Sequence, residues 1–310
     1  MEISKLIQHY HDKYKYKVFL TKLEHELQNA FIMYLYDYSS ELDNFSETFL
    51  SYLPFYVRNN DYFEVIDNNE DIDEQLKIRS KQMRKKSSVI PQRPIASDGI
   101  YGELFLDFYL RIVKARAAVI TYVNKRSFKS NYETTGPDNV VYYLDEEQQI
   151  NICICEAKFV AGASNAKNNL LTDILGEHGT SAKPAHISTE YLNDYFQFIV
   201  EKGNNIQEPD RTTFKNFFNH LNQQLDNGND FISILISDNI CVNFVFFAIF
   251  DSTKRCPQKL EDYYKEIHSA CEQQIQEIGL TNYKIEIVFI PTENTTMTIK
   301  EAMEKQYEEH

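Results

Sequence analysis

The sequence predicts an α/β protein with a mixed sheet flanked by helices, entered through a mainly helical N-terminal region. Three observations carry that expectation. β-Rich runs at 140–144 and 150–159 flank the polar turn Asp145-Glu-Glu-Gln-Gln149 and read as a hairpin. The run Phe244-Val-Phe-Phe-Ala-Ile-Phe250 is apolar on both faces, as suits a central strand. From Gly102 onward such runs alternate with segments of helical period, the pattern of a sheet covered by helices on both sides.

Taken in order, Leu20, Leu23, Leu27, Ala30, Phe31, Tyr34 and Leu35 recur at three and four residues, which predicts an amphipathic helix. A second helix is expected over 39–52, with Ser39 or Ser40 at its start and Pro54 beyond its end. Acidic residues at 67–74 precede a basic run containing Lys77, Arg79, Lys81, Arg84, Lys85 and Lys86. Acid first and base last suits a helix dipole, so this run is a solvated helix or a phosphate-contacting patch. Ser87-Ser88-Val-Ile-Pro91-Gln-Arg-Pro94 reads as a linker and divides the chain into 1–95 and 96–310. Beyond it, a helix is expected from Gly102 to about Arg116 and a strand over 117–124, followed by the hairpin. Helices are expected over 165–175 (capped by Ser164), 188–201, 213–225 and 259–277. Strands are expected over 231–236, 242–250 and 283–290, with a charged helical tail over 298–310.

Composition narrows the function classes. Tyr and Phe, at 21 each, can fill a large core without Trp. No apolar run approaches the roughly 20 residues that span a bilayer, and the N-terminus lacks a signal pattern, so a cytoplasmic protein is expected. The five cysteines (Cys153, Cys155, Cys241, Cys256, Cys271) are odd in number and sit mostly in apolar runs, which predicts core packing rather than disulfides or zinc. A formal net charge of -14 argues against a stand-alone, tight, non-specific nucleic-acid binder, whose affinity comes from Lys and Arg on phosphates. It leaves room for a nucleic-acid enzyme delivered by a partner, with local phosphate contact from 77–86 and 111–129.

Asp138, Glu156 and Lys158 lie on or beside the apolar hairpin. Unpaired charge buried there is costly, so the three residues call for a use. Strand side chains alternate faces, which puts Glu156 and Lys158 on one side and Ala157 on the other. Antiparallel pairing brings Asp138, at the start of one strand, opposite the end of the next. Two carboxylates at that range suit a hard cation, Mg²⁺ or Mn²⁺, and the Ala157 carbonyl can add an oxygen. Lys158 then holds or helps deprotonate an attacking water, or stabilises charge on a phosphate. Glu103, in the first turn of a helix, is the fourth candidate and is preferred over Asp107 one turn later, which is read as solvated. The implied chemistry is metal-assisted hydrolysis of a phosphodiester. Glu156-Ala157-Lys158 is the only acid-x-Lys in the chain, but such a pattern is common by chance and its weight comes from context. The plainer reading is a Glu–Lys pair at a solvent-facing sheet edge, against which the apolar neighbours Ile152 and Ile154 and the two cysteines argue. A one-residue slip in register would turn the acids to opposite sides.

At these residues the chain resembles the PD-(D/E)xK, or restriction-endonuclease-like, nuclease superfamily, with Pro137-Asp138 followed by Glu156-Ala157-Lys158. Over about residues 95–290 it looks more narrowly like HamA, the nuclease-subunit family of the Hachiman anti-phage defence system. That likeness rests on Gly102-Glu103-Leu104 with its apolar helix, the Gly-Pro-Asp strand, Cys-Glu-Ala-Lys-Phe159 and the chain length. The resemblance implies an Mg²⁺- or Mn²⁺-dependent DNase. It also implies a superfamily 2 helicase partner (HamB-like, forming a heterodimer) that restrains the nuclease on intact DNA and releases it on damaged or abnormal DNA.

Other motifs are sparse. His178 follows the helix after the motif strand and could approach the site, while His186, His220 and His268 have no partner at metal-ligand spacing. No phosphate-binding P-loop and no Gly-x-Ser-x-Gly elbow occur. Two further function classes stay open on the residues. One is an inactive member of the same fold serving as a DNA- or protein-binding subunit. The other is an unrelated α/β interaction protein in which Glu156–Lys158 is a structural ion pair.

Overall fold

A computed structural model describes residues 8–9, 12, 25–27, 31–34, 71–75, 78, 99–110, 120–122, 138–145, 147–176, 185–193, 211–251 and 257–292. Its frame is a mixed seven-stranded sheet. The strands are β1 (His25–Leu27), β2 (Phe31–Tyr34), β3 (Ile120–Tyr122), β4 (Asn139–Leu144), β5 (Ile150–Val160), β6 (Cys241–Asp251) and β7 (Tyr283–Thr292). They lie in the order β1-β2-β7-β6-β5-β4-β3. The core run β5-β6-β7 is parallel, and β4 and β3 continue it antiparallel. β6 occupies the middle of the sheet, as its apolar composition requires.

The sheet is buried on both faces. On one face Ile152, Ile154, Phe244, Phe246, Ile285 and Ile287 pack against helices α2 (Ala163–Leu175), α3 (Arg211–Asp226), α4 (Phe231–Ser237) and α5 (Pro257–Glu277). On the other, Cys153, Cys155, Ala157, Val245, Phe247 and Val288 are buried beside α1 (Gly99–Phe108). Phe105 of α1 stacks on Phe159 with centroids 6.2 Å apart, and Tyr109 meets Phe247 at 5.6 Å. Cys153, Cys155 and Cys271 are buried free thiols and Cys241 is half-buried, so the described cysteines pack rather than cross-link. Among the described residues no helix is long and apolar enough to cross a membrane.

The hairpin has the expected register. Asn139 pairs with Cys155 and Leu144 with Ile150. Asp145 closes its turn: one carboxylate oxygen accepts from the Gln149 N–H at 2.7 Å and the other from Asn151 Nδ2 at 2.8 Å. Gln148 supplies the positive φ (62°) that the turn needs.

Four expectations need correction. The helix read across Leu20–Leu35 is interrupted by β1 and β2, which pair with each other while β2 lies parallel to β7 through Met33↔Ile287. The aromatic and β-branched content of Phe-Ile-Met-Tyr fits a pleated surface, and sheet pairing overrides a weak helical period. The expected strand over 231–236 is helix α4. Asp230 caps it by accepting from the Ser233 N–H, and Asn193 Oδ1 takes the Phe231 N–H at 2.8 Å. A short apolar run is ambiguous by periodicity alone, and the cap decides it, contributing about 1 kcal/mol. Ser164 does not cap α2, which begins at Ala163 with Gly162 as its uncapped N-cap. Asp107, read as solvated, is fully buried. Where they are described, the remaining elements match to within a few residues; 111–119, 123–124 and 194–201 lie outside the described residues. The helices expected over 39–52 and 298–310, the basic stretch 79–86 and His178 lie outside the described residues.

Gly102 sets the distance between α1 and β5. A Cβ there would meet Ala157 Cβ and the Lys158 carbonyl carbon, each at 3.4 Å. Gly102→Ala should therefore be tolerated. Gly102→Leu should push α1 off the strand and cost about 1–3 kcal/mol, read as a lower urea midpoint.

Candidate functional site

The site forms where β5 outruns β4. Extending the register places Asp138 opposite Glu156, and Asp138 Oδ2 accepts the Ala157 N–H at 2.7 Å. That bond fixes the acid at the end of the ladder. Glu156 and Lys158 project together from β5, with the lysine Nζ 2.6 Å from Glu156 Oε1. Glu103 lies past the first turn of α1, which starts at Gly99 and not at Gly102 as expected; it is half-buried and close enough to Asp138 to act on its ionisation. The four sequence-predicted residues thus gather at one end of the hairpin. Ala157 presents its N–H there, and an extended residue turns its carbonyl to the same edge. Asp107 is buried in the same helix.

Two residues that the sequence reading left aside join them. Asp173, near the end of α2, places Oδ2 2.6 Å from Lys158 Nζ. His186 places Nδ1 3.1 Å from Glu156 Oε2. Glu156, Asp173 and His186 each offer a ligand atom within 4.8 Å of the others. His186 has no partner at metal-ligand spacing in the sequence; folding brings it to Glu156, 30 residues away, a pair that no spacing signal could reveal. The other described histidines bond elsewhere: His9 with Asp73 at 2.9 Å, His220 with Asp238 at 2.8 Å, and His268 with Glu272 at 3.5 Å.

The carboxylates are driven in opposite directions. Burial pushes Asp138 well above the usual carboxylate range, and the charge of Glu156, and less so of Glu103, adds to it. Asp173 is raised in the same way, by burial and then by Glu156. Burial would raise Glu156 too, but Lys158 and His186 outweigh it and hold the acid at about 2. Burial works against the Lys158 ammonium, yet Glu156, Asp138 and Asp173 keep its pKa above the ordinary lysine value. The solvent-facing reading of Glu156–Lys158 therefore fails: the Glu156 side chain is 7% exposed and that of Lys158 19%.

The fold and site together define a mixed-sheet α/β protein that gathers an Asp, a Glu-x-Lys pair and a helix-borne Glu at one end of a hairpin. A family model described as HamA matches residues 8–306, nearly the whole chain. The chain belongs to the HamA family, that of the Hachiman anti-phage defence system. No curated protein matches it.

The opposed shifts give opposite stability effects. Asp138 has a raised pKa, so the stability it contributes is present below the unfolded carboxylate value and lost as pH rises through the folded one. At pH 7 without divalent cations, Asp138→Asn should raise the denaturation midpoint, and the gain should vanish near pH 4. Glu156, held at about 2, contributes stability above pH 4.5 that is lost as pH falls toward 2. Glu156→Gln should therefore destabilise the protein at pH 7 by roughly 3 kcal/mol. Urea titrations at the two pH values read both signs.

Proposed function

We propose that the chain is a metal-dependent nuclease that hydrolyses DNA phosphodiester bonds in Hachiman defence, controlled by a superfamily 2 helicase partner. The observation that carries this reading is the convergence of Asp138, Glu156 and Lys158, with Glu103 in electrostatic reach. A binding subunit or a structural ion pair has no need for Glu156, Asp138 and Asp173 to crowd one buried lysine.

The donor set fits a hard cation. Glu103, Asp138, Glu156 and the Ala157 carbonyl are all oxygen ligands of the type that holds Mg²⁺ or Mn²⁺. Burial raises Asp138 and the like charges of Glu156 and Glu103 add to it, so several carboxylates face one lysine and a divalent ion would relieve their repulsion. When bound, such an ion stabilises charge on a phosphoryl oxygen and lowers the pKa of a bound water. The protein's own groups do the rest. Asp138 is held in place by the Ala157 N–H. Glu156 is pinned through both oxygens, by Lys158 and by His186. Lys158, kept protonated by its carboxylates, acts as a donor to a phosphate oxygen or to the attacking water and not as the base that takes a proton from it.

The net charge of -14 supports a partner that supplies DNA affinity. In this reading residues 96–310 carry the nuclease unit. Residues 1–95 include β1 and β2 of the sheet and otherwise serve partner contact or regulation.

The test is cleavage of DNA by the protein co-purified with its helicase subunit, with Mg²⁺, with Mn²⁺ and with EDTA. Cleavage should require the cation, and Asp138→Asn or Glu156→Gln should reduce it at least about 100-fold, in the range for loss of charge-stabilising groups. Cleavage that persists in EDTA or in both variants overturns the assignment, as does recovery of the chain without any helicase.

A further inference from the structure

We infer that Asp173 and His186, which stand outside the Asp138…Glu156-x-Lys158 motif, are positioning residues that fix the two side chains of the Glu-x-Lys pair. The inference rests on the nuclease reading above and assigns those two residues a part in it.

A lysine on a strand carries a long, mobile stem, with roughly 2 kcal/mol of rotamer entropy to lose before its head is fixed. Here the head is held from two sides. Glu156 Oε1 and Asp173 Oδ2 each lie 2.6 Å from Nζ. An ammonium has three protons. One is donated to Glu156 Oε1, while Asp173 Oδ2 holds the head as an ion pair on its other side, which leaves a direction for a further acceptor. Asp173 thus aims the lysine while Glu156 shares it.

Glu156 is fixed in the same manner. Lys158 holds Oε1 and His186 Nδ1 meets Oε2 at 3.1 Å, so the carboxylate plane cannot rotate without breaking one contact. His186 is itself anchored twice. Its ring stacks on Tyr191, with centroids 4.7 Å apart and planes 12° from parallel. Its backbone N–H donates to the Asp173 carbonyl at 2.8 Å. Asp173 therefore holds Lys158 with its side chain and His186 with its backbone. The segment around 186 is tied to the end of α2 at the same residue that ties down the lysine.

Partners of this type orient a ligating carboxylate, and their loss typically weakens metal binding 10–100-fold. His186→Phe keeps an aromatic ring over Tyr191 and removes the donor. His186→Asn keeps an N–H at the position of Nδ1. In the helicase complex, His186→Phe should raise the Mn²⁺ concentration for half-maximal cleavage about 10–100-fold, with the rate largely recovered at saturating Mn²⁺. His186→Asn should restore most of the affinity. Asp173→Leu should instead lower the rate at saturating Mn²⁺ about 10-fold or more, with less effect on the Mn²⁺ requirement.

Calorimetric titration of Mn²⁺ into the same variants gives the affinity without any turnover. Urea unfolding in cation-free buffer gives a third reading. There the folded-to-unfolded ratios of Lys158→Met, Asp173→Leu and their double variant should be non-additive by about tenfold or more, and so should those of Glu156→Gln, His186→Phe and their double variant. If the wild type binds Mn²⁺ but cuts nothing, the nuclease reading fails and the positioning inference stands on the affinities. If it binds no Mn²⁺, the unfolding cycles decide. Additive cycles, or equal losses in His186→Phe and His186→Asn, overturn the inference.

Discussion

The ammonium of Lys158 is the charge on which this end of the molecule depends. It lies between Glu156 and Asp173 at 2.6 Å from each, within the field of Asp138, on a strand otherwise built of apolar residues. Removing one partner of a buried pair typically costs 3–5 kcal/mol, because the charge left behind has neither water nor a counter-ion. The same interaction separates the carboxylates chemically. Glu156, with lysine and histidine on its two oxygens, is a firm anion, whereas Asp138 and Asp173 are pushed toward the neutral form. Burial raises all three acids, and two different ionisation behaviours follow because the lysine and histidine on Glu156 outweigh it there alone.

The sheet supplies the rigidity that such a cluster needs. β5 runs between β4 and β6, so its backbone is fixed on both sides until β4 ends, and the site lies where one side is released. Asp138 takes the Ala157 N–H beyond the last β4 pairing, so an acid substitutes for the missing strand. On the face opposite Glu156 and Lys158, α1 approaches closely because Gly102 has no side chain, and this brings Glu103 near Asp138. α2 begins only a short turn after β5 and returns Asp173 to the lysine. Every site residue is therefore carried on, or bonded directly to, an element of the packed frame, His186 through Asp173 of α2 and Glu156 of β5.

What the sequence could show was whatever local chemistry encodes. Period-two alternation and the turn at Asp145 fixed the hairpin register, and with it the meeting of Asp138, Glu156 and Lys158. The doubly apolar run at 244–250 marked the sheet centre. Several of the misses come from long-range pairing. β1 and β2 look helical by spacing, yet they join a sheet whose nearest partner is about 250 residues away at Ile287. α4 looks like a strand until Asp230 and Asn193 satisfy its first turn. Asp173 is one acid on a polar helix, and His186 one histidine in a loop. Neither has a neighbour in sequence that marks it, and only folding brings α2 and the segment at 186 back over the motif strand.

Charge balance at the site bears on why a nuclease of this design would need both a cation and a partner. Glu103, Asp138, Glu156 and Asp173 face one lysine and one histidine, on a chain whose formal charge is -14. A phosphodiester approaching that cluster meets carboxylates that repel one another, since Glu156 and Glu103 add to the burial that raises Asp138. In the proposed reading a divalent cation reverses the sign where the phosphate must sit, and a helicase supplies the backbone contacts that the acidic surface lacks. On the same reading, the acidity that disfavours DNA binding by the chain alone becomes part of its restraint. Without both additions, electrostatics keeps the substrate away from residues otherwise held in position to act on it.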